Sequence, residues 1–298
     1  MKKYAMLSLL LVVFLAGCTL PSLPGSGSTG TGVATGVIIK SFAPDISEVY
    51  SGDSVILSAT VENVGEEDAT GVVMTLFGLG TDWNGGTLPP PVDVSDLQKS
   101  QSQYDIPGGL YDTTFEVKSP DNLAVDNTYT AGLRVTYSYM TEASGLLKVY
   151  DYDYLKTIPT QAETIMKTAA LSSFKSTKAP VGIQLSGVSR PLVYRTTSSN
   201  AASITVQIYN AGQGFPYTTD PGDRTITIDS VTVNGQACSN WADIAKTPTI
   251  PRTGKTSFAC KFTVPSVAEF QTIPIEISLS YSYYVDGSTT IGVLRSIA

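Results

Sequence analysis

One internal duplication limits what this chain can fold into more than any other feature. Val55-Ile56-Leu57-Ser58-Ala59-Thr60-Val61-Glu62-Asn63-Val64-Gly65 reads like Ala202-Ser203-Ile204-Thr205-Val206-Gln207-Ile208-Tyr209-Asn210-Ala211-Gly212, and Leu133-Arg134-Val135-Thr136-Tyr137-Ser138-Tyr139 reads like Ile277-Ser278-Leu279-Ser280-Tyr281-Ser282-Tyr283. The offset from Tyr50 to Tyr194 is 144, from Asn63 to Asn210 147, and from Tyr137 to Tyr281 144. A chance likeness would not hold one spacing across a whole unit. Solenoid repeats are only about 20–50 residues long, so two copies at this period predict tandem domains.

Within each copy, Val, Ile, Leu, Thr and Tyr alternate with small or polar residues at period two, punctuated by Gly, Pro, Asn and Asp. That pattern predicts short strands, in the first copy near 36–42, 54–63, 69–77, 110–118, 128–140 and 145–156, with a further short one near 91–94. Six or seven strands in such a unit predict an immunoglobulin-like sandwich. Asn63-Val64-Gly65 closes one strand, with Gly65 expected at positive φ and Asn63 bonding its local backbone. Tyr129, just before the long sixth strand, is placed to pin the preceding loop, although the second copy has Ile273 there.

A strand ending in Asn-x-Gly and followed by an acidic turn, here Glu66-Glu67-Asp68, resembles the CARDB-like and related immunoglobulin-like domains of prokaryotic cell-surface proteins. The resemblance covers both copies and implies a fold rather than an activity.

The chain begins with Lys2 and Lys3, an apolar run from Ala5 to Ala16, and then Leu15-Ala16-Gly17-Cys18. A short positive segment, an apolar segment and small residues before a cut are the parts of a secretory signal. The run is shorter than the roughly 20 apolar residues that span a bilayer. The last four residues resemble a lipobox, which implies cleavage before Cys18 and a diacylglyceryl anchor on it. An ordinary signal peptide and a short uncleaved anchor are the alternatives. From Thr19 to Gly36 the composition cannot bury a core, so these 18 residues are expected to be a flexible tether with an r.m.s. reach on the order of 20–25 Å.

The resulting expectation is an all-β protein: two tandem immunoglobulin-like β-sandwiches, one short helix between them and an N-terminal signal helix. The segments are a lipoprotein signal peptide at 1–17, a lipidated tether at 18–36, a first domain at 37–158, a helical linker at 159–180 and a second domain at 181–298. Thr160-Gln161-Ala162-Glu163 has the form of a capping box, and Ala162, Ile165, Met166, Ala169, Ala170 and Phe174 recur at helical spacing. This helix has an apolar face that something must cover.

The net charge of −7 becomes −9 once Lys2 and Lys3 are removed. An acidic surface repels nucleic acid, whose binding rests on Lys and Arg contacts to phosphate. There is no histidine, which removes Ser-His and Cys-His nucleophile pairs and the commonest metal ligand. No P-loop, zinc motif or nucleophile elbow is present, and no cofactor or metal is expected.

After lipidation of Cys18, Cys238 and Cys260 are the remaining cysteines. An even pair within one exported domain predicts a disulfide; two buried thiols are the alternative. Trp83, in Thr81-Asp82-Trp83-Asn84-Gly85-Gly86, can stack on a sugar ring with Asn84 beside it, or plug the sandwich end as Trp241 would in the second copy. Tyr150, Tyr152 and Tyr154 share a face if they lie on a strand, as do Tyr137 with Tyr139 and Tyr281 with Tyr283. Such stripes suit a glycan or a protein neighbour, and also ordinary cross-strand packing. Asp151 and Asp153 are too few for a calcium site.

The leading reading is a non-enzymatic protein held by the lipid on Cys18 to the outer face of a membrane, making adhesive or protein contacts with an envelope partner. The second is a carbohydrate-binding surface module. The third is a hydrolase using loop carboxylates among Asp93, Asp96, Asp105 and Asp112.

Overall fold

The computed structural model describes residues 35–296 apart from Thr253. The signal segment, Cys18 and most of the tether lie outside the described residues. The first copy runs β1 (Val37–Pro44), β2 (Glu48–Tyr50), β3 (Ser54–Asn63), β4 (Ala69–Phe77), β5 (Val92–Leu97), β6 (Leu110–Lys118) and β7 (Asn127–Asp151). Two short helices follow, α1 (Tyr152–Thr157) and α2 (Pro159–Ile165). The chain continues through β8 (Leu171–Ser176), β9 (Val181–Ser186), β10 (Leu192–Tyr194), β11 (Ala201–Asn210), β12 (Phe215–Tyr217), β13 (Thr227–Val233), β14 (Gln236–Ala237), β15 (Lys255–Thr263) and β16 (Phe270–Leu294). The architecture is all-β and sandwich-like.

Each copy contributes one three-stranded sheet, β1-β3-β6 in the first and β9-β11-β15 in the second. Period-two patterning explains these strands: in β3, Val55, Leu57, Ala59 and Val61 are buried while their neighbours face outward. The opposing layer is one ten-stranded sheet common to both copies.

Its spine is the antiparallel pair β7 and β16, in register from Tyr150↔Phe270 to Asn127↔Val293. Each strand has 25 residues, on the order of 80 Å of extended chain. The sequence pattern had divided this stretch into strands at 128–140 and 145–156. The structure joins them, because inward positions stay buried straight through: Tyr137, Tyr139, Thr141, Ala143, Leu147 and Val149. Ser138 pairs with Ser282, which is also its repeat equivalent, so the two copies meet about a pseudo-twofold between these residues.

On its other side β7 pairs first with β4 of its own copy, then with β8 and with β10 of the second copy. Likewise β16 pairs with β13 and β12, and its last residues return to β2 of the first copy. Each copy's final strand therefore ends among strands of the other.

The linker departs from its expected form. α1 was not anticipated; it starts because the Asp151 carboxylate accepts the Tyr154 N–H at 2.8 Å. α2 has Pro159 in its first turn and stops at Ile165. The predicted continuation through Phe174 is instead β8, in which sheet pairing with β7 overrides helical spacing.

Candidate functional site

Four buried tyrosines form the centre of the molecule. Tyr137 faces Tyr283 and Tyr139 faces Tyr281 across the spine, with ring centroids 5.7 and 6.4 Å apart. The hydroxyls of Tyr137 and Tyr281 accept the N–H groups of Val37 and Val181, each at 3.2 Å, which are the first residues of β1 and β9. Tyr283 donates to Asn210 Oδ1 at 2.8 Å, and Tyr139 lies 3.4 Å from Asn63 Oδ1. Burial pushes the phenol pKa of all four upward, so they stay neutral. These two stripes are interior, not surface.

The Asn-x-Gly motif belongs to the same arrangement. Asn63 Nδ2 donates to the carbonyls of Glu67 and Leu97 at 2.8 and 2.9 Å. Neither Gly65 nor Gly212 adopts positive φ, contrary to expectation. Glycine is needed there for space, since a Cβ would overlap the hydroxyl of Tyr139 or Tyr283.

Cys238 and Cys260 form a disulfide, with Cα atoms 5.2 Å apart. It ties the segment after β14 to β15. Trp83 is 0% exposed and meets Tyr129 edge to face at 5.3 Å, so its ring offers no face to a sugar; the Tyr129 ring thus packs on the segment between β4 and β5 rather than on the loop that precedes its own strand. Asn84 is exposed at φ 51° and its amide donates to the Thr87 carbonyl. Trp241 is half-buried beneath the Lys246 ammonium.

Tyr150, Tyr152 and Tyr154 do not share a strand face, because β7 ends at Asp151. Tyr150 stacks on Phe270 at 4.6 Å, whereas Tyr152 and Tyr154 lie on α1. The carboxylates expected in a loop lie mostly on strands, Asp93 and Asp96 on β5 and Asp112 on β6, and they are separately engaged: Asp93 accepts from the Ser95 N–H, Asp96 from the Gly71 N–H and Asp112 from the Thr60 hydroxyl. Asp105 sits at φ 54° in its own turn.

Sequence reasoning missed the outer face of the spine. Several of its outward positions are serines: Ser138 and Ser144 on β7, and Ser278, Ser280 and Ser282 on β16. They floor two depressions of about 400 and 510 Å³, walled by Glu142, Glu276 and Lys175 in one and by Glu67 and Asp68 in the other. Burial raises the pKa of Glu67, reinforced by Glu142 and Asp68 and opposed by Lys99, 3.6 Å away. The signal was available as serines two apart, at Ser278, Ser280 and Ser282. Among the described residues no group of three or more His, Cys, Asp or Glu side chains gathers as a metal site.

The class so defined is an all-β, sandwich-like, disulfide-bonded protein with shallow polar surface depressions. No protein-family model matches the chain, and no curated protein matches it. Among solved structures the chain is matched to one titled Escherichia coli alpha-2-macroglobulin activated by porcine elastase, at 8% identity and a TM-score of 0.14. That match covers 88% of this chain and 33% of the other, and at such a score it carries no argument.

Proposed function

We propose that this protein is a lipid-anchored, non-enzymatic surface protein that makes protein contacts in the cell envelope. The observation that carries the compartment is the Cys238–Cys260 bridge, because such bonds persist in oxidising surroundings outside the cytosol. The Leu15-Ala16-Gly17-Cys18 sequence supplies the lipid site and agrees with that compartment. The immunoglobulin-like reading of the copies at 37–158 and 181–298 belongs to the same proposal, and is supported by one three-stranded sheet per copy set against the shared sheet.

A binding role is favoured over turnover by the carboxylates, which are spent singly on local hydrogen bonds, and by the absence of histidine from the whole sequence. The test is Cys18→Ala followed by membrane fractionation. The variant is expected to leave the membrane fraction with its unfolding midpoint unchanged, because the tether reading puts Cys18 ahead of the first copy. Retention in membranes at the wild-type level would overturn the anchor.

A further inference from the structure

A helical hairpin, α1 and α2, lies between the two copies. α2 buries none of its residues, so Ala162 and Met166 stay half-exposed beside Leu155 and Val193. They line a cleft of two joined parts, about 350 and 540 Å³, that share Glu163 and Met166. Leu155, Ala162, Met166 and Val193 make the first part apolar, and Met166 is the apolar side chain lining the second beside Ser189, which leaves the apolar face of α2 uncovered.

The rim is cationic in a chain of net charge −7. Lys156 and Arg195 border one part, and Lys167 and Arg190 the other. The two lysines are neutralised, Lys156 by Asp153 at 2.9 Å and Lys167 by Glu163 at 2.7 Å. The two arginines are not: among the described residues no ion pair joins Arg190 or Arg195 to a carboxylate. The Arg195 guanidinium instead lies 3.8 Å over the Tyr152 ring, which holds it at the cleft edge.

We propose that this cleft docks an acidic peptide segment of a partner protein, with a bulky apolar side chain over Met166 and carboxylates on both sides meeting Arg190 and Arg195. The arrangement of charge selects this occupant. One uncompensated arginine stands in each part of the cleft, and the two parts share Met166, so anions are wanted on both sides of an apolar anchor. A lipid presents its anion at one end only. Arginine also pairs with carboxylate through two parallel hydrogen bonds. The inference rests on the protein-contact reading above and names the kind of partner.

The test is selection of a random dodecapeptide library on the lipid-anchored chain in detergent, with the Arg190→Glu/Arg195→Glu variant as counter-selection. Peptides with a bulky apolar residue flanked on both sides by Asp or Glu are expected to be enriched. The best of them should lose about tenfold or more in affinity for the double variant and several-fold for Met166→Ser. Both variants should unfold within a few degrees of the wild type, because Met166 is only half-buried and the Arg195–Tyr152 contact lies at the surface. Enrichment of no such motif, or equal binding to the double variant, overturns the proposal. So does loss of binding to phosphatidylglycerol vesicles in the double variant without any peptide enrichment, which would make the cleft a lipid site. None of these failures bears on Cys18, whose fractionation test stands apart.

Discussion

At the scale of the residue, Tyr281 shows how much of the fold hangs on single hydroxyls. It is buried, it accepts the Val181 N–H at 3.2 Å, and it shares a 2.8 Å hydrogen bond with Thr141, whose hydroxyl donates to the Val181 carbonyl at 2.9 Å. Tyr281→Phe leaves a buried backbone donor without its acceptor, a loss of about 1–3 kcal/mol. Tyr104→Phe, at a hydroxyl 68% exposed with its residue, should change stability by less than about 0.5 kcal/mol. Urea unfolding of the two variants checks this, and equal midpoints would sink the assigned role. The spacing of Tyr137 with Tyr139 and Tyr281 with Tyr283 made their shared faces legible in sequence. Their partners were not legible, because Val37 and Val181 contribute backbone N–H groups that no side chain advertises. Arg190 and Arg195 were equally silent, since a missing carboxylate is a property of space rather than of spacing.

At the scale of the element, alternation was the dependable signal and punctuation the misleading one. The stretch Glu142-Ala143-Ser144-Gly145 looks like a turn between strands, yet β7 passes through it with Ala143 buried and Glu142 and Ser144 exposed. Gly145 is retained there because a Cβ would press on the Ser173 carbonyl of β8. In the opposite sense, helical spacing from Ala162 to Phe174 failed after Ile165, and from Leu171 an open side of β7 offered backbone hydrogen bonds that a short helix in water cannot match. The disulfide was legible from the cysteine count together with the expected export signal. Closing a separation of 22 residues, it contributes roughly 3 kcal/mol by loop closure. Replacing both Cys238 and Cys260 by alanine should therefore lower the free energy of unfolding by about that amount. A double variant as stable as the wild type would show that the bridge constrains nothing.

At the scale of the whole molecule, the two copies cannot be separate bodies. β7 carries residues of the first copy into the second, β16 carries residues of the second into the first, and the two pair along 24 positions. The turn after β3 and the segment before β9 are tied together as well, through the Glu66 N–H bonded to the Lys178 carbonyl at 3.0 Å and the Lys178 N–H bonded to the Glu66 carboxylate at 3.0 Å. Unfolding either half strips the other of an entire strand, so the chain should melt in one cooperative transition with equal calorimetric and van't Hoff enthalpies. A protease site inserted after Thr168, in the exposed turn before β8, should be cut without separating the halves on size exclusion. A fragment of residues 35–165 alone would bare the edge of β7 that β16 covers. The repeat supplies the substitute: a second β7, turned about Ser138, presents Tyr139 opposite Tyr137 just as β16 presents Tyr283. That fragment is expected to run as a dimer, because an uncovered edge of this length is a template for pairing. A folded monomeric fragment would mean that the spine is a contact between finished domains rather than the structure that completes them.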